Sequence, residues 1–240
     1  MTFTLEQRII NRLLLESNMQ VGLYEGKMGL VLFFVHYYKH TGLQLYDDTA
    51  GELMEELEKE TRHETPIGFA KGLSGIGWGI EYMIQKGLVE GDSLTICDEI
   101  DKQIMEKDPR RITDYSLETG LEGLIHYVLN HIKGVTVQHS KIPFDAQYLY
   151  DFFQTLSNIP SNAELSDSFK RLSTKYMDYY ENNTSLDYVP ELSFFMDDEI
   201  IVTEDTLNST PLGLKNGLSG YLLKRISEPP NSLDKKNLYR

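Results

Sequence analysis

Apolar and polar positions alternate along this chain on two different periods. Some stretches are amphipathic: between Thr4 and Leu15 the apolar residues Leu5, Ile9, Ile10, Leu13 and Leu14 fall near helical spacing, which predicts a helix with one buried stripe. Leu45 to Thr61 carries Ala50, Leu53, Met54 and Leu57 on one side and acids on the other. Leu94 to Lys107 repeats that wet character, with Asp92-Ser93 as a cap. Other stretches are dry. Leu30-Val31-Leu32-Phe33-Phe34-Val35, Ile76 to Gln85 and Leu121 to Ile132 are almost wholly apolar, and such helices need cover on most sides. Further helices are predicted at Asp145 to Leu156, at Leu165 to Tyr180 (with Phe169, Leu172, Tyr176, Tyr179 and Tyr180 in period) and from Gly213 to Arg225. Residues 190–210 are the least regular, and Ile200-Ile201-Val202-Thr203 has strand character without a partner.

Each dry run opens on the same pattern, apolar-x-x-Gly-x-x-Gly-apolar. The glycine pairs are Gly26 and Gly29, Gly72 and Gly75, Gly120 and Gly123, and Gly217 and Gly220. The first glycines stand at 26, 72, 120 and 217, an interval of about 48 residues whose last step is about doubled; repeats of this period mark stacked or circular arrays. Five units follow, the fourth, near Phe169, having lost its glycines. Alternating wet and dry helices are satisfied by two concentric layers, so the fold expected is all-α: one domain over 1–228 with a tail at 229–240. Glycines three apart share a helix face and let backbone approach closely.

Composition narrows the partners. The formal net charge is −14, from 37 acids against 23 bases, which argues against nucleic acid and against an anionic membrane surface. No stretch is long and apolar enough for a membrane span, and the N-terminal residues lack the apolar core of a signal peptide. Cys97 is the single cysteine, so no internal disulfide forms; a reducing, cytoplasmic setting is expected.

The four motifs, with Gly77-Trp78-Gly79 after the second, resemble the lanthionine synthetase C-like family. The resemblance implies an α/α toroid, here reduced to about five helical hairpins, with the site at one end of the ring beside the loops. It also implies zinc-dependent addition of cysteine thiols to dehydrated serine or threonine in a precursor peptide. The family's metal signatures, a Trp-Cys pair and a Cys-His-Gly triplet, are absent: Gly79 follows Trp78, and Cys97 lies far from any glycine motif. The histidine that the family sets before one motif glycine is replaced at all four places, by Glu25, Lys71, Thr119 and Asn216.

In a ring those four residues gather at one mouth, bordered by Asp114, Tyr115 and Glu118, as a polar pocket for a peptide or small molecule. No metal and no cofactor is expected. His36 and His40 share a helix face without a third ligand, His126 suits a hydrogen-bonded core position, and His131, five residues on, lies on another face. The favoured reading is a zinc-free accessory or peptide-binding member of a peptide-maturation system. Its alternatives are an α/α-barrel enzyme using pocket carboxylates on a carbohydrate or peptide, and a self-associating scaffold whose open ring leaves apolar surface to cover.

Overall fold

A computed structural model describes residues 3–16, 19–139, 141–182, 185–196 and 200–227. Their regular structure is helical, with no strand among them. The helices are α1 (Leu5–Leu15), α2 (Lys27–Thr41), α3 (Gln44–Glu60), α4 (Leu73–Gln85), α5 (Ser93–Ile96), α6 (Asp98–Met105), α7 (Leu121–His139), α8 (Ala146–Ser157), α9 (Asp167–Asn182) and α10 (Leu218–Ser227). Two single 3₁₀ turns, Pro109–Arg111 and Leu192–Phe195, complete the set. Ile200 to Thr203 forms no strand, and the tail from 229 lies outside the described residues.

Successive inner helices touch in the order α10, α2, α4, α7, α9, while α1 packs on α10, α3 on α2, α5 and α6 on α4, and α8 on α9. This is the toroid: dry helices within and wet ones around them, except that α9 is amphipathic, with only Phe169, Leu172, Ser173 and Tyr176 buried. Every residue of α4 from Leu73 to Ile84 is buried, as are Lys27 to Val35 of α2. In α3 only Tyr46, Ala50, Leu53 and Leu57 are buried, the single stripe of an outer helix. Lys27, almost fully buried, reaches outward to Glu56 (2.8 Å) and Glu60 (2.6 Å) of α3. Burial works against its ammonium, and those two carboxylates outweigh it, so the pKa is raised.

The stretch read as one helix over 94–107 is two, jointed at the fully buried Cys97. The joint brings Asp101 inward onto α7. α7 also runs further than the apolar pattern suggested, because Val135 is still buried on it and Thr136 folds its hydroxyl back onto the Ile132 carbonyl, 2.7 Å.

The glycine loops are knitted edge to edge. Leu23 and Tyr24 donate their N–H groups to the Ala70 carbonyl (3.0 Å each), Ala70 donates to Glu118 (2.9 Å), and Leu214 and Lys215 donate to Tyr24 (2.6 and 3.2 Å). Contacts this close need a glycine four residues before the first motif glycine in three of the four units. A Cβ on Gly22 would fall 2.6 Å from Lys71 Cα, on Gly68 3.0 Å from the Glu118 carbonyl, and on Gly213 2.3 Å from the Tyr24 carbonyl. Gly22 adds a φ of +122°, which disfavours any side chain. The third unit carries Ser116 there instead. Its next neighbour would be the fourth loop, which the chain lacks, so no close approach is demanded.

Candidate functional site

The motif glycines bring the expected mouth residues to one end of the ring. Lys71 lies 3.7 Å from Glu25, both more than half exposed. Lys215 crosses the Tyr24 ring, 4.9 Å from its centroid, to bond Glu118 at 2.8 Å, so the last loop is tied to the third. Asp114 and Thr119 meet inside their own loop: the Asp114 carboxylate accepts from the Thr119 hydroxyl and from the N–H (2.8 Å) and hydroxyl (3.0 Å) of Ser116. Those bonds hold its pKa below the usual carboxylate range. Asn216, at φ +53°, turns the chain into α10. Tyr115 leaves the group and packs edge-on against Phe169, 5.9 Å away, at the start of α9. A depression of about 230 Å³ adjoins Glu25 and Lys71, lined also by Met19, Gln20 and Val21. The mouth is thus a shallow surface of opposed charges, and each exposed pair contributes only about 0–1 kcal/mol to stability.

Beneath it the ring is filled. Phe195 lies within 4.8 Å of the Phe69 and Trp78 centroids, 5.1 Å of His126 and 6.3 Å of Tyr24. Tyr188, on the same segment, accepts from Trp78 Nε1 at 2.9 Å and meets His126 Nδ1 at 2.9 Å. Burial pushes the His126 pKa down to about 3, so the ring is a neutral hydrogen-bonding group there, as its place in an apolar helix suggested. Sequence reasoning missed this filling. The signal was present: Tyr188, Leu192 and Phe195 recur at helical intervals within a polar stretch, and all three are buried. Tyr188→Phe is expected to lower stability by about 1–3 kcal/mol, since it leaves the Trp78 N–H without its acceptor and His126 Nδ1 without its partner. Urea denaturation followed by the single tryptophan's emission measures it.

A second polar cluster, also unforeseen, is fully enclosed between α4, α6 and α7. His131 Nδ1 lies 2.8 Å from Glu81 and Nε2 2.9 Å from Asp101. Tyr127 donates to Asp101 at 2.6 Å, and Gln85 to Glu81 at 2.9 Å. Burial opposes the imidazolium, but hydrogen bonds to the two carboxylates outweigh it and raise its pKa to about 9.

The residues present do not fit the zinc that the family enzymes use. Both ring nitrogens of His131 face carboxylates, His126 is spent on Tyr188, and the Cys97 thiol is buried against α6 and α7, its pKa raised by burial. His36 bonds the Tyr82 hydroxyl at 3.0 Å. Among the described residues no three His, Cys, Asp or Glu side chains are grouped to hold a metal ion.

A family model described as "Lanthionine synthetase C-like protein" matches residues 17–186, well over half of the chain. No curated protein matches the chain, and no solved structure does. The matched span contains α2 to α9 and three of the four glycine loops, and it ends just before Tyr188 and Phe195.

Proposed function

The chain belongs to the lanthionine synthetase C-like family, and on that premise we propose that it is a zinc-independent, peptide-binding accessory member of a peptide-maturation system. The observation that carries this reading is a division within the fold. The interlocked glycine loops are kept: Tyr24, Ala70, Glu118 and Leu214 are joined by backbone hydrogen bonds. The groups that would activate a thiol are not: beside the motif glycines stand Glu25, Lys71, Thr119 and Asn216. A thiol needs a metal or a base to become a nucleophile at neutral pH, whereas binding needs only a rigid surface with donors and acceptors. The mouth supplies both signs of charge, from Glu25 and Glu118 and from Lys71 and Lys215. Because each carboxylate faces an ammonium, the pair is better suited to docking polar peptide groups than to general acid-base work. No helix among the described residues is long and apolar enough to cross a membrane; the proposed location, the cytoplasm, rests on the single cysteine, which suits a reducing compartment.

The test is a titration of the full chain with a Ser-, Thr- and Cys-containing precursor peptide, followed by fluorescence anisotropy. Binding is expected with and without chelator, and the double variant Glu118→Lys with Lys215→Glu is expected to change affinity less than either single variant, because the pair is restored with reversed sign. Loss of binding on chelation, or stoichiometric zinc by elemental analysis, overturns the reading.

A further inference from the structure

The segment 185–196 enters the ring without joining its backbone. Its described main-chain hydrogen bonds stay within itself, from Phe194 to the Glu191 carbonyl and from Met196 to the Ser193 carbonyl. The glycine loops, by contrast, are bonded main chain to main chain all along the mouth. What holds the segment is a set of side chains: Tyr188 on Trp78 and His126, Phe195 among four rings, and exposed ties from Glu191 to Lys86 (3.1 Å) and from Asp187 to Lys175 (3.2 Å). The space around it is not closed. A cleft of about 400 Å³ runs beside Leu192, Ser193 and Met196, between them and His36, Tyr82 and Leu223 of the inner helices. From residue 187 on, the segment also lies beyond the span matched by the family model, which ends at residue 186.

We propose that the cage formed by Tyr24, Phe69, Trp78 and His126 is a binding subsite for an aromatic side chain of a peptide, and that Phe195 occupies it from within the chain as a displaceable strap. This deepens the peptide-binding reading and rests on it for the identity of the outside ligand. The chemistry of the cage selects the class. Phe69 and Trp78 meet Phe195 in tilted and edge-on geometry, the arrangements aromatic rings prefer. His126 Nδ1 and Trp78 Nε1 supply two polar atoms that a hydroxyl satisfies, as Tyr188 does. A peptide carrying an aromatic residue and a nearby tyrosine or serine hydroxyl reproduces both features. Detaching the strap breaks side-chain contacts and leaves the loop-to-loop hydrogen bonds intact, so opening does not require the ring to unfold. While the strap is seated, only the open fraction of molecules accepts an outside ligand, and the apparent affinity falls by that fraction.

Trp78 is the only tryptophan, so its indole gives one signal in a nitrogen–proton spectrum of the intact protein. Its N–H is expected to exchange with a protection factor at least ten-fold below that of the interior amides of α4 and α7. In the second measurement, a fluorescently labelled peptide of the sequence Leu186 to Met196 is added in trans. It is expected to bind Phe195→Ala at least ten-fold more tightly than the unaltered chain, and to lose that gain when its own phenylalanine at the place of Phe195 is alanine. An indole proton as protected as the α4 amides overturns the proposal, as does a folded Phe195→Ala chain with unchanged affinity. If Phe195→Ala does not fold, the indole measurement on the unaltered protein decides. A strap that never opens leaves mouth binding of a precursor untouched, so the two readings fail separately.

Discussion

Gly75→Ala is expected to lower the unfolding free energy by more than about 4 kcal/mol, or to abolish folding, the range reached only by severe steric or packing defects. A Cβ at that position would stand 1.8 Å from the Phe69 carbonyl oxygen and 3.0 Å from Leu23 Cβ. Neither neighbour can retreat cheaply. The Phe69 carbonyl belongs to a loop pinned on both sides: the Ser74 hydroxyl holds the Ile67 carbonyl at 2.6 Å, and the Ala70 N–H holds Glu118 in the next loop. Leu23 belongs to the preceding loop, itself bonded to Ala70. Relief of the clash would therefore have to move three loops together. Gly51→Ala is the control. Gly51 is exposed within α3 and a Cβ there meets nothing within 4 Å, so the change should stabilise by about 0.5–1 kcal/mol through helix propensity. Urea denaturation followed by far-ultraviolet circular dichroism measures both. A cost below about 1 kcal/mol at Gly75 would mean that the interlock does not hold the inner helices together.

The same glycines explain how far this fold is readable from sequence alone. Spacing alone locates four inner helices, because the motif glycines do local jobs: Gly26 and Gly72 take the extended N-cap position, and Gly29, Gly75 and Gly123 admit a side chain from the neighbouring loop. The order of units around the ring follows from that neighbour relation, which spacing does not express. Leu23 sits on Gly75, Phe69 on Gly123 and Leu214 on Gly29, so the fifth unit meets the first. The mouth was legible in kind: Glu25, Lys71, Glu118 and Thr119 do gather at one end, while Tyr115 turns away to Phe169. Its electrostatics were not, since Lys215 was outside the candidate set and yet binds Glu118. The strap was hidden for another reason. Tyr188 lies outside any helix and Phe195 ends a single 3₁₀ turn, so their helical spacing marks a buried face without saying that the face enters a ring.

Removing His131 is expected to be the costliest change outside the glycine loops. Glu81 and Asp101, on α4 and α6, both direct carboxylates at its imidazole in a space closed to water. Gly134 is what makes room for them, since a Cβ there would lie 1.7 Å from Glu81 Oε1. Burial, helped by the nearby Asp98 charge, raises the Asp101 pKa, and the His131 and Tyr127 hydrogen bonds oppose that rise. His131→Leu strips away the cation and leaves two enclosed acids facing each other, a defect of about 3–5 kcal/mol. The pH dependence identifies the cause. The folded His131 titrates at about 9, above an unfolded value of about 6.5. Its contribution is therefore complete below about pH 6.5 and is lost as pH rises through about 9, amounting to roughly 3 kcal/mol in all. Asp101, also raised, contributes with the same sign, from the ordinary carboxylate range upward. Urea midpoints from pH 6 to pH 10 should fall for the unaltered protein, and the difference from His131→Gln should shrink steadily across that interval. A difference that stays constant from pH 6 to pH 10 would mean that His131 is neutral in the folded chain, and that the two carboxylates are kept buried by sharing protons rather than by a cation between them.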